Sequence, residues 1–230
     1  MPALRPGAAP ILWEADPSAC AQIARKLADA ILDGGEQERA AAFHHETDQA
    51  LYTVAHVALR LLLGAHLEMP AAAVRLERRA CPGCGKPHGR PAIAGDAVHF
   101  SLSHTRGRVL IAFAGTAVGT DIESLPAPST VESVTAVLHP RERDEIAGLA
   151  HSAARAAAFG RVWVRKEAYF KALGIGLARG MERDYLGTGR HEVAHPTGWE
   201  VRDVAVANGF VAATATARST VVGTLNPMPL

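Results

Sequence analysis

Apolar residues recur at helical spacing from 18 to 33, with Ile23, Leu27, Ala30 and Ile31 on one stripe. Residues 10–14 ahead of them read as a short strand, and Gly34-Gly35 reads as the end of the helix. Another stretch starts near Glu36. Asp48 then opens a long helix with Leu51, Val54, Ala55, Ala58, Leu59 and Leu62 on one face, ending near Gly64–Leu67. The run VRLERR (74–79) alternates as a strand does. A Pro- and Gly-rich loop follows, from Cys81 to Gly95. Strands are expected at 98–103, 108–114 and 117–123. HTRG joins the first two and AGTA the second two, so both junctions read as hairpins. After LPAP the texture is helical again. His139-Pro140 precedes a charged helix from about 141 to 150, and a longer helix spans about 152 to 173, stopping at Gly174 and Gly176. In the tail, Asn208-Gly209 between two alternating runs signals a hairpin.

Helices precede strands in the first half, and the order roughly repeats in the second. This pattern predicts an α+β fold in two halves, 1–116 and 117–230, with a seam near 115–120.

Composition narrows the class. A chain of 230 residues with 48% hydrophobic and 20% charged residues reads as globular rather than disordered. A formal net charge of +1 gives no global field to recruit nucleic acid. The charge is uneven, however. Arg75, Arg78, Arg79, Lys86, Arg90, Arg106 and Arg108 face only Glu77 and Asp96 within 75–108, which suits a small anion or an acidic partner surface. The longest nearly apolar stretch, around 109–119, falls short of the roughly 20 residues a membrane-crossing helix needs, so no membrane span is expected. The opening residues lack the charged start and long apolar core of a signal peptide. Three cysteines are too few for a disulfide framework, and a cytoplasmic location is the expectation.

Four groups of residues carry candidate chemistry. In GTDIES, Asp121 and Glu123 are two apart on a strand and share a face, with Ile122 turned inward. Paired hard oxygens of this kind suit Mg2+, and a solvated strand end is the plainer reading. In WVRKEAYFKALGIGL (163–177), Glu167 and Lys171 are one helical turn apart. Taken alone they read as a surface ion pair, with Trp163 and Phe170 as core. In FSLSHT, Ser103 and His104 are adjacent on a strand and point to opposite faces. Two separate phosphate contacts therefore fit better than a nucleophile bonded to its base.

The fourth group is CPGCGKPHGRPAI. The spacing of Cys81, Cys84 and His88 could suit zinc, but no second CxxC or HxxxH supplies a fourth ligand. A basic, Gly-rich loop that wraps an anion is the better reading. RERDEI (141–146) superficially resembles the acidic helix of Nudix hydrolases. It lacks their Gly- and Glu-rich lead-in, so it reads as a solvated helix face.

VGTDIE, then WVRKEAYFKALGIGL about 40 residues on, with FSLSHT upstream, resembles the Sfp-type 4'-phosphopantetheinyl transferases. That family reads roughly G-(V/I)-D-(I/V/L)-E, then W-x-x-K-E-(A/S)-x-x-K-x-x-G-x-G-L, after F-(N/S)-x-S-H-(S/T). Order and spacing together make the resemblance specific over about residues 89–177.

The resemblance implies two similar halves related by a pseudo-twofold, with the active site at their interface. It implies transfer of the phosphopantetheine arm of coenzyme A to a serine of an acyl or peptidyl carrier protein, with release of adenosine 3',5'-bisphosphate. Asp121, Glu123 and Glu167 would hold Mg2+ or Mn2+. Glu167 would also be the general base, and Lys171 would sit beside the pyrophosphate. Ser103 and His104 would contact phosphates, and Arg60 would lie near the nucleotide.

The family places a G-K-P triplet about eight or nine residues before F-x-x-S-H. GKP (85–87) matches by letter, and GRP (89–91) matches by spacing, with eight residues before Phe100. Arg90 is taken, because Arg can replace Lys as a phosphate partner. The basic residue frequent before Phe43 is replaced by Ala42, and Gln49 stands where Arg is frequent. The 3'-phosphate of coenzyme A is thus left to Arg39, His44 or His45. A monomer is expected. The rivals are a metal-dependent pyrophosphate hydrolase acting on a coenzyme A-like nucleotide and a zinc-loop interaction module.

Overall fold

The computed structural model describes residues 2–218, apart from 88 and 192. Its first elements are β1 (Ile11–Ala15) and α1 (Pro17–Ile31). Asp16 caps α1 by accepting from the Ser18 amide at 2.9 Å, with Pro17 in the first turn, where a missing N–H costs nothing. The helix ends at Leu32, and Gly34-Gly35 does not stop it. Those glycines instead open α2 (Gly34–Ala41), because Asp33 and Glu36 form a reciprocal capping box. Next come α3 (Glu46–Leu67), β2 (Leu76–Arg78) and β3 (Pro91–Ile93). The second of these short strands lies inside the stretch read above as loop. It pairs with β2, Arg78 opposite Pro91.

By length and composition α3 could cross a membrane, unlike the shorter run at 109–119. In this fold its Val54, Ala55, Val57, Leu59 and Leu63 are buried in a core shared with α1 and with Phe100, Val109, Ile111 and Phe113. Those last residues belong to β4 (His99–Thr105) and β5 (Arg108–Ala114), which form a hairpin closed at Arg106-Gly107. The sheet order is β1-β5-β4.

The expected β5–β6 hairpin does not form. β5 already has β1 on one edge and β4 on the other, so β6 (Val118–Ser124) pairs with β8 instead. After β6 come α4 (Pro128–Val134), α5 (Pro140–Ala147), α6 (Ser152–Leu173), β7 (Trp199–Val204) and β8 (Phe210–Ala217). The second sheet runs β6-β8-β7. The β7–β8 hairpin is present as expected, with a wider loop in which the Phe210 amide bonds Ala207 O at 3.2 Å. Phe159, Val162, Val164, Ala168 and Phe170 of α6 form a second core with Leu138, Ile146, Val201, Ala213 and Ala215.

Two successive charges of the WVRKE run point inward. Arg165 is fully buried and forks onto Asp203 of β7 at 2.7 and 2.6 Å, with Gly187 O and Gly189 O taking further donors. Lys166 is equally buried and pairs with Glu142 at 2.9 Å, while also donating to Asp184 O. Glu142 accepts from the Leu186 amide at 2.7 Å and from the His139 amide at 3.2 Å. This corrects the solvated-face reading of 141–146, since Glu142 ties α5, α6 and the segment before β7 together. Removing one partner strands the other charge in the core. Lys166→Met should therefore lose about 3–5 kcal/mol of stability in urea unfolding. Glu142→Gln in the same chain should recover much of it. A loss below about 1 kcal/mol would place this pair with ordinary surface ion pairs.

Candidate active site

β6 presents Asp121 and Glu123 on one face, as the period of two requires. The face meets α6 closely because Gly119 lacks a side chain. A β-carbon there would lie 2.0 Å from Ala168 O and 2.4 Å from Ala172 N, so no other residue fits beside the helix backbone. That contact brings Glu167 and Lys171 of α6 over the strand.

β4 approaches from the other sheet through its serines. Ser101 Oγ accepts from the Thr120 amide at 3.0 Å. Ser103 Oγ donates to Asp121 Oδ1 at 2.7 Å and receives a donor from Lys171 Nζ at 2.9 Å. Lys171 Nζ also reaches Asp121 Oδ1 at 2.6 Å. Ser103, Asp121 and Lys171, from three elements, thus form one network. His104, Glu123, Glu167 and Trp163 join them around a cavity of about 380 Å3.

The electrostatics are those of crowded carboxylates. Burial, and then the charge of Asp121, raises the pKa of both Glu123 and Glu167. Lys171 offsets part of this at each. His104 is exposed at the rim, yet the protein around its ring lowers its pKa, and the positive charges of His56 and Lys171 add to that.

Asp121 is 3% exposed, and its Oδ2 has no hydrogen-bond partner among the described residues. A buried carboxylate oxygen without a partner is costly, and a hard divalent cation would relieve it along with the mutual repulsion of the three carboxylates. The residues therefore fit Mg2+ by chemistry. Among the described residues no three His, Cys, Asp or Glu side chains stand gathered as a ready-made cluster. The Lys171 ammonium is what now balances Asp121. His88 lies outside the described residues, and with it the Cys81/Cys84/His88 zinc reading.

A second cavity of about 670 Å3 shares Leu102 and Lys171 with the first. Its volume is in the range that holds nucleotide-sized ligands. Arg90 lines it beside Gly174, the left-handed cap of α6 (φ 75°). Lys86 is exposed and outside the lining. Arg39 also lines the cavity, whereas His44 and His45 do not.

Arg60 does not line it either. Its guanidinium is 1% exposed and held by Asp33, Glu36 and Val74 O, the last at 2.9 Å. The acidic cap of α2 thus holds Arg60, whose partners Asp33 and Glu36 line the cavity. The residues that sequence reasoning missed are Tyr52 and His56. Their rings stack at 4.0 Å, and His56 Nδ1 lies 3.0 Å from Glu36 Oε1 inside the cavity. They sit one turn apart on α3, the only signal that could have paired them.

If coenzyme A occupies this cavity, Arg90→Ala should weaken its binding more than Lys86→Ala in a titration of both variants. The reverse ranking would assign the phosphate contact to the GKP triplet.

Comparison with known proteins shows what the chain is similar to. Residues 117–211, which carry Asp121, Glu123, Glu167 and Lys171, match the sequence model of the 4'-phosphopantetheinyl transferase superfamily. That range holds two of the three motifs, VGTDIE and WVRKEAYFKALGIGL, while FSLSHT lies before it. Among curated proteins, the chain is similar to the 4'-phosphopantetheinyl transferase HetI of Nostoc sp. (strain PCC 7120). Identity is 31% over 152 residues, which is 65% of this chain and 62% of that one. It is also similar to a phosphopantetheinyl transferase of Thraustochytrium sp., 30% identical over 171 residues, 69% of this chain and 58% of the other. The match spans less than two thirds of the length of either relative.

Proposed function

We propose that this protein is an Sfp-type phosphopantetheinyl transferase. It moves the 4'-phosphopantetheine arm of coenzyme A onto a serine of an acyl or peptidyl carrier protein and releases adenosine 3',5'-bisphosphate. The observation that carries this is the joining of Ser103, Asp121 and Lys171 from β4, β6 and α6, with Glu167 in the same cavity.

In this reading the halves 1–116 and 117–230 are similar units related by a pseudo-twofold, and the reaction occurs where they meet. Asp121, Glu123 and Glu167 would hold Mg2+, or Mn2+ in its place. Bound there, the ion would neutralise charge on the pyrophosphate. Lys171, His104 and Arg90 hold the remaining phosphate oxygens, and Arg39 takes the 3'-phosphate from its place in the larger cavity. Ser103 holds Lys171 and Asp121 in place and is not a nucleophile; the nucleophile is the carrier's serine. In this reading Glu167 is also the proton acceptor. It takes the serine proton as the hydroxyl attacks the pantetheine-side phosphorus. Phosphoryl transfer draws mainly on such positioning and charge balance. The protein acts as a cytoplasmic monomer, without nucleic acid or membrane.

The test is product release. With coenzyme A, Mg2+ and an apo-carrier, one adenosine 3',5'-bisphosphate should form per carrier modified. Release of the nucleotide at an equal rate without any carrier would instead make the protein a pyrophosphate hydrolase.

A further inference from the structure

The β2–β3 hairpin carries chemistry that the transfer reaction does not use. Its stem continues past the strands, with Arg79 N bonded to Arg90 O at 3.1 Å and Gly89 N to Arg79 O at 2.9 Å. At the tip the chain folds on itself. Gly85 N bonds Cys81 O at 2.8 Å, and Cys81 N bonds Lys86 O at 2.8 Å. Gly85 takes φ 73° to close this turn. Both cysteines of the turn are thiols; Cys84 is exposed, and Cys81 is 3% exposed, covered by its own turn. Backbone N–H groups of Gly83 and Cys84 point at the Cys81 sulfur, the Cys84 thiol also contacts it, and its pKa is lowered.

The turn lies close to the larger cavity. A β-carbon at Gly83 would lie 3.8 Å from Cys81 Sγ and 4.0 Å from Ile175 Cγ1, and Ile175 lines the cavity. The other end of the loop is Arg90, which lines the cavity as well.

We propose that Cys81 and Cys84 are a thiol–disulfide exchange site for low-molecular-weight disulfides, placed so that its oxidation weakens binding in the adjoining cavity. The Cys84 thiolate, the accessible one, attacks one sulfur of the incoming disulfide. That S–S bond breaks, and one thiolate leaves and takes a proton from water. The Cys81 thiolate then attacks the Cys84 sulfur and displaces the second thiolate. Overall, two protein thiols are oxidised to one disulfide, and the small disulfide is reduced to two thiols. Joining the two sulfurs takes the Cys81 sulfur from its N–H donors and rearranges the turn whose stem ends at Arg90. The effect on binding rests on the reading that coenzyme A occupies this cavity; the thiol chemistry does not.

The experiment treats the full chain, with Cys20 replaced (Cys20→Ala), with excess oxidised glutathione and follows intact mass. The expected product has lost two hydrogens. Cys81→Ser should stop at a mixed disulfide on Cys84, and Cys84→Ser should react far more slowly. No adduct and no disulfide, or equal reactivity of the two single variants, would overturn the site. Reduced and oxidised proteins are then titrated with coenzyme A. Several-fold weaker binding after oxidation, restored by dithiothreitol and absent in Cys84→Ser, is expected. Unchanged affinity would overturn the coupling to the cavity. If even the reduced protein fails to bind coenzyme A, the functional reading fails, and the mass result still decides the thiol pair.

Discussion

Replacing Glu167 with Gln should slow transfer to an apo-carrier by about 10⁴-fold or more under single-turnover conditions. A general base alone contributes about 10²–10⁴ in rate, and here the same carboxylate would also help to hold the metal. Coenzyme A should still bind within about tenfold, because the phosphate contacts assigned to Arg90, His104 and Lys171 remain; a tenfold change corresponds to about 1.4 kcal/mol. Lys171→Ala should leave metal binding less affected but still slow transfer. Raising the pH should help Glu167→Gln only if proton removal is the lost step, since hydroxide can replace a base but not a ligand.

The same substitution has a stability signature of opposite sign. Burial and Asp121 raise the Glu167 pKa in the folded chain above its unfolded value. The folded state thus binds this proton more tightly. Its stabilising contribution is complete below the unfolded pKa and disappears as pH rises through the folded pKa. Near neutral pH the ionised Glu167 opposes folding of the metal-free protein. Glu167→Gln should therefore melt higher than the parent in EDTA at neutral pH, and the gap should shrink on acidification. A Gln variant that transfers at near-parental rate would make this helix merely structural.

Asp121→Ala should abolish transfer while leaving the fold intact. Asp121 is the central charge: it accepts from Ser103 and Lys171 and raises the pKa of both neighbouring glutamates. A metal acting as Lewis acid is worth several kcal/mol of charge stabilisation, so a loss of at least about 10³-fold follows if Asp121 holds it. The Ala variant should lose the stabilisation that added Mg2+ gives the parent in thermal melts. Full activity in EDTA with protein shown to be metal-free would contradict the assignment.

Much of this site could be read along the chain because its spacing is local. Asp121 and Glu123 share a face by the period of a strand, and Glu167 and Lys171 share one by the pitch of a helix. The junction of Ser103 with Asp121 could not be read. It joins strands of different sheets, and Lys171 adds to it from α6, which Gly119 lets approach β6. The partners of Arg60 were not legible for a related reason: its position on α3 can be read, but its capture by Asp33 and Glu36 is tertiary. Glu142 looked solvated because charged helix residues usually are, and its burial is made tolerable by Lys166 from a distant helix together with the Leu186 and His139 amides. The AGTA turn signal was misleading because a turn cannot report that β5 has no edge left.

The intact mass of an apo-carrier protein incubated with coenzyme A, Mg2+ and this protein decides the function. It should rise by one phosphopantetheine arm, and should not rise when the carrier's serine is replaced by Ala or with Asp121→Ala. A carrier whose mass stays unchanged across a panel of acyl and peptidyl carriers, while coenzyme A is cleaved in solution, would contradict this function.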